Sequence, residues 1–100
     1  MTGVELIAAE RQRQVEQEGW TAPHDDMHGA GEIAMAGVAY ALAAVITSPA
    51  ARRDKVFTRY WPWERSVWKP SDDPIRNLVK AGALIAAEID RLLREAESSR

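Results

Sequence analysis

Four groups of residues in this chain have the types and spacing for chemistry. The first is His24-Asp25-Asp26-Met27-His28, followed by Glu32. Imidazoles and carboxylates this close together suit a divalent cation. Zinc would take two His and a carboxylate, and magnesium would take Asp25, Asp26 and Glu32 with water. The plainer reading is that Asp25 and Asp26 cap the following helix and complement its dipole. The second group is an aromatic–basic block: Arg59, Tyr60, Trp61, Trp63, Arg65, Trp68 and Lys69. Indoles offer flat faces for a base, and guanidinium and ammonium groups offer donors for phosphate and cation–π contacts. The alternative is an aromatic lid over a core short of bulky side chains. The third is Arg76 and Lys80, four apart near the start of a helix whose dipole already favours anions. Arg11 and Glu18 form the fourth, two charges on the inward side of the first helix. No phosphate loop, nucleophile elbow or Ser/His/Asp arrangement is present.

The elements that must position these groups are helical. Thr2 with Glu5 has the form of a capping box, and Gly19 suits the left-handed position that ends the first helix. Val4, Ile7, Ala8 and Val15 make its apolar stripe, and Trp20 follows the glycine. Thr21 to Asp26 reads as a loop. The second helix runs from about Met27 or Gly31 to Ile46 and is apolar all round. Ala30, Ala34, Gly37, Ala41 and Ala44 form a smooth ridge on it, for which a second subunit is the expected neighbour. Ser48-Pro49 opens a short helix through about Val56, and Phe57 to Pro70 is irregular and packed. Asp73 and Pro74 suit the cap and first position of a third helix that reaches about Glu97. Leu78, Gly82, Ile85, Ile89, Leu92 and Ala96 form its packing seam. The expected fold is all-α over residues 1–100: three main helices, an irregular Trp/Pro-rich segment before the last, and assembly as a homo-oligomer.

Composition narrows the function. One hundred residues suit one domain. The net charge is −2, from 13 Lys and Arg against 15 Asp and Glu, which argues against general nucleic-acid binding. Cysteine is absent, so thiolate chemistry and disulfides are too. The beginning of the sequence does not read as a signal peptide, and no apolar run is long enough for a membrane span. The expected location is the cytoplasm.

Several segments taken together resemble a family of short proteins encoded in phage and prophage genomes. These are Glu10-Arg11 with Gln14, Glu18-Gly19-Trp20-Thr21, His24-Asp25-Asp26, and Gly31-Glu32-Ile33-Ala34 with Tyr40-Ala41. Later come Trp61-Pro62-Trp63, Trp68-Lys69-Pro70, and Arg76 to Ala81 through Ala87 to Leu92. The resemblance implies a phage accessory role and supplies no catalytic residues. By analogy of chemistry, the inventory is similar to that of phage anti-defence sponges, which sequester nucleotide signals without turnover. On that reading Trp61, Trp63, Trp68 and Tyr60 stack on a base. Arg11, Arg59, Arg65, Lys69, Arg76 and Lys80 hold phosphates, and no cofactor is needed. A second model is the MazG-like all-α NTP pyrophosphohydrolases, which hold magnesium on arrays of carboxylates. Here the candidates are Asp25, Asp26, Glu32 and Glu88, although the E-x-x-E pattern is not matched. A third is an inhibitor that binds a host protein through the aromatic patch.

Overall fold

The computed structural model describes residues 1–99 and contains no strand among them. Helix α1 spans Gly3–Gln17. Its capping box is complete: the Thr2 hydroxyl accepts from the Glu5 amide, and the Glu5 carboxylate accepts from the Thr2 amide. Gly19, at φ 73°, turns the chain out of the helix in the left-handed region, and the Trp20 amide donates back to the Gln14 carbonyl. Residues expected as loop then form a short helix α2, Ala22–Asp26, with Pro23 in its first turn, where a missing amide costs nothing.

Helix α3 covers Glu32–Val45, within the expected bounds. Ser48 accepts from the Ala51 amide as expected of a cap, but the helical run it opens continues past Val56. A π-type stretch, Ala51–Lys55, passes directly into α4, Val56–Tyr60, so the irregular segment begins only at Trp61. That segment holds one 3₁₀ turn, Arg65–Val67. Asp73 caps α5 by accepting from the Ile75 amide, with Pro74 in the first turn, and α5 runs to Ser98.

The centre of the molecule is the contact between α3 and α5, with α1 laid along α5. The Ala-rich α3 lets the backbones approach closely. A Cβ on Gly37 would stand 3.1 Å from the Ile85 side chain and 3.4 Å from the Ala81 carbonyl. The neighbour of the small-residue ridge at Gly37 is therefore α5 of the same chain, not another subunit. Gly82 plays the same part toward α1, since its bare Cα accommodates Ile7.

Two expectations about helix faces need correction. On α1, Val4 and Ala8 are exposed, and the buried residues are Glu10 and Gln14. Ile7 anchors α1 on Gly82, which turns the Glu10–Gln14 side inward. On α5 the buried side is Asn77, Ala81, Leu84, Glu88 and Arg91. The expected seam of Leu78, Ile85, Ile89 and Leu92 lies beside it and is half exposed. Among the described residues, no helix is long and apolar enough to cross a membrane.

Candidate ligand cleft

Trp20 sits between two recesses. Its carbonyl accepts from Arg11 Nη1 at 3.0 Å, and Arg11 Nη2 reaches Asp25 at 2.8 Å. One guanidinium thus ties the turn after α1 to α2. This pair fixes the position of the Trp20 ring and aligns α2 so that His24 stacks on it, with centroids 6.2 Å apart and planes 10° from parallel. His24 meets His28 at 4.6 Å, His28 meets the edge of Trp63 at 5.1 Å, and Trp63 returns to Trp20 at 6.0 Å. Four rings form a closed circuit. Glu32 holds it from behind: one carboxylate oxygen accepts from the Trp63 indole at 3.1 Å and lies 3.5 Å from His28 Nδ1. In front of the rings is an open cleft of about 320 Å³, completed by Glu64 and Val67.

On the other side of Trp20 and Val67 lies a small cavity of about 20 Å³, bounded by the polar face of α1, Tyr40, Lys69 and Lys80. That volume is enough for one water or one small polar group. Glu10 is its most heavily bonded residue. It accepts from Arg13 at 2.8 and 2.9 Å, from Gln14 Nε2 at 3.2 Å, and pairs with Arg76 at 2.7 Å. Burial pushes the Glu10 carboxyl up, but the hydrogen bonds and charges of the two arginines outweigh it and hold it below its ordinary value. A carboxylate only accepts, so it draws the amide nitrogen of Gln14 toward itself. Gln14 Oε1 is left buried with no protein donor. Lys80 donates to the Lys69 carbonyl at 2.8 Å and lies 5.2 Å from the Tyr40 ring centre. Burial, with Arg76 adding to it, lowers its pKa. Burial also pushes the Tyr40 phenol up to about 12, while its oxygen accepts from the Lys69 amide.

The aromatic–basic block divides in three. Trp61 and Trp68 are core residues, packed on Tyr40 and on each other, and their indoles donate to the Glu64 and Arg53 carbonyls. Trp63 alone of the three lines the open cleft. Arg59 is exposed and Tyr60 half-buried, both away from the cleft. Arg65 lies over the Phe57 ring at 4.2 Å and bonds Asp54. Lys69 and Lys80 reach the small cavity, while Arg76 acts through Glu10 and Arg11 through Asp25.

The four carboxylates named as metal ligands do not converge. Asp25 is taken by Arg11 and His24, Asp26 by Arg94, Glu32 by Trp63 and His28, and Glu88 by Arg91. Among the described residues, no three His, Asp or Glu side chains are grouped to hold a metal ion. Sequence reasoning missed Trp20 as a cleft wall and Glu10 and Gln14 as cavity residues. Their signals were a tryptophan directly after a helix-ending glycine, and polar residues at 10, 14 and 18 on one face of α1. Compared with models of known families, with curated proteins and with solved structures, the chain matches none.

Proposed function

We propose that this chain binds a small planar ligand carrying anionic groups, of the nucleotide class. It holds the ligand without turning it over, as a homo-oligomer in a phage-type sequestering role. One observation carries the reading: the aromatic cleft abuts a predominantly cationic cluster across Trp20 and Val67. That cluster has four cations, Arg13, Lys69, Lys80 and Arg76, against two carboxylates, Glu10 and Glu18. A base would stack on the half-buried rings of Trp20 and Trp63, and its anionic part would turn toward Lys69, the most exposed of these cations. The reading without turnover draws on the engagement of Glu10, Glu18, Asp25 and Glu32 with arginines or an indole, whereas Glu64, on the rim of the cleft, accepts from Ser66. The sequestering role and the homo-oligomer rest on the resemblance and on the apolar helices.

Indole fluorescence tests the reading directly. Cyclic and linear nucleotides should quench it, since two of the four tryptophans line the cleft. Trp63→Ala should weaken binding by ~1–3 kcal/mol, up to about a hundredfold in affinity. Lys69→Ala should weaken it in a salt-sensitive way. If no nucleotide quenches the fluorescence or shifts the melting temperature, the ligand class is wrong. Release of phosphate or pyrophosphate in magnesium or manganese would overturn the claim that the ligand is only held.

A further inference from the structure

Gln14 is 1% exposed, and alone among the described residues it keeps a buried side-chain atom, Oε1, with no hydrogen-bond partner in the chain. Buried polar atoms are almost always bonded, so Oε1 calls for a donor from outside the chain. Turning the amide round does not help. It would set the oxygen against the Glu10 carboxylate, which now accepts from Gln14 Nε2 at 3.2 Å. Gln14 therefore brings a fixed acceptor to the small cavity that it lines with Tyr40, Lys69 and Lys80.

Tyr40 has the opposite need. Its oxygen accepts from the Lys69 amide, and no residue described here accepts its own proton, which burial keeps in place to about pH 12. No hydrogen bond joins Tyr40 to Gln14. One group wants a donor and the other an acceptor, in a space of about 20 Å³ that admits one water-sized group. A cation there would face Arg13, Lys69 and Lys80 against only Glu10 and Glu18. An anion without a proton has nothing to give Oε1. The amino group of a base donates but does not accept. A neutral O–H group does both.

We infer that this cavity is a hydroxyl site, in which one O–H group donates to Gln14 Oε1 and accepts from the Tyr40 phenol. Water and the sugar hydroxyl of a nucleotide share this chemistry. A nucleotide carries its sugar between base and phosphate. The cavity borders the stacking cleft through Trp20 and Val67, and Lys69 lines it as well. A sugar hydroxyl as occupant rests on the nucleotide reading and makes Gln14 a residue that selects ribose over deoxyribose. The hydroxyl site itself stands without that reading.

A crystal structure of the ligand-free protein, at a resolution that shows ordered waters, should place one water within hydrogen-bond distance of both Gln14 Oε1 and Tyr40 Oη. Gln14→Met, which removes the acceptor at similar volume, should lose that water. The parent alone decides the point, whether or not the variant folds. Fluorescence titration with adenosine monophosphate and its 2′-deoxy and 3′-deoxy forms then separates the two sources. If a sugar hydroxyl takes the site, one deoxy form should bind about tenfold more weakly, and Gln14→Met should erase the difference. Equal binding of all three, with the water retained in the complex, assigns the site to water. A cavity without density in the free protein, or a water that bonds neither Gln14 nor Tyr40, overturns the hydroxyl site. A water in place with no quenching by any nucleotide overturns the nucleotide reading and leaves the hydroxyl site standing.

Discussion

The four tryptophans do two different jobs, and burial separates them. Trp61 and Trp68 are almost wholly enclosed, and each has its indole N–H satisfied by a backbone carbonyl. They supply the volume that a core of Ala36, Ala39, Ala43, Ala81 and Ala87 lacks. Trp61→Ala or Trp68→Ala should therefore cost ~3–5 kcal/mol of folding stability, a large share of the ~5–10 kcal/mol expected for such a domain. Urea denaturation followed by circular dichroism would measure it. Trp63→Ala should cost less, because its ring is half-buried, and should act chiefly on ligand affinity. Equal stability losses at Trp61 and Trp63 would contradict this division. It was not legible in the sequence, where the three residues form one dense run. Proline, the 3₁₀ turn and the reach of Glu32 from α3 decide which ring points inward, and none of these has a period to read.

At the scale of elements, the ends of the long helices were legible because capping is local chemistry. Thr2, Gly19, Asp73 and Pro74 act where their types and spacing place them. Asp73→Ala should cost ~1 kcal/mol, visible as a lower melting temperature with little change in ligand binding. The faces of the helices were less legible. An all-apolar helix has no preferred side in its sequence, and on α5 the side the fold buries, Asn77, Ala81, Leu84, Glu88 and Arg91, carries polar residues and small ones, while the bulky Leu78, Ile85, Ile89 and Leu92 beside it stay half exposed. On α1 the polar side turned inward because cations from the Trp-rich segment and α5 came to meet it, a long-range pairing with no local signature. The Gly37 ridge is the sharpest case. Gly37→Leu should lower folding stability by ~1–3 kcal/mol through overpacking against Ile85 and Ala81. It acts on the contact between α3 and α5 of one chain. Dissociation of an oligomer with unchanged chain stability would show that the ridge faces another subunit after all.

Across the whole molecule, arginine–carboxylate pairs hold the helices where the small-residue core cannot. Arg76–Glu10 joins α5 to α1, Arg11–Asp25 joins α1 to α2, and Arg94–Asp26 joins α5 to α2. Stability should consequently depend on pH at both ends of the scale, through two groups of the same cavity. The Glu10 carboxyl is held below its ordinary value of 4.5, so folding favours the ionised form. Its contribution is complete above about pH 4.5 and is lost as the pH falls through the lower, folded-state value. Tyr40 behaves in the opposite sense. Burial raises its phenol from 10.0 to about 12, so folding favours the neutral form. That contribution is complete below pH 10 and disappears as the pH rises toward 12. Lys80, beside the Tyr40 ring, has its pKa lowered, so its deprotonation favours the folded state as the solution becomes alkaline and partly offsets the loss at Tyr40. Melting temperature against pH, compared across variants, separates these effects. Glu10→Gln should flatten the acid limb and alter the alkaline limb only slightly, because burial, not the Glu10 charge, is the largest cause of the rise at Tyr40. Tyr40→Phe should flatten the decline between pH 10 and 12 even though the parent is the more stable at neutral pH, because the substitution leaves the Lys69 amide without its acceptor. A Tyr40→Phe profile that falls between pH 10 and 12 as steeply as the parent's would mean that the phenol is not enclosed in solution.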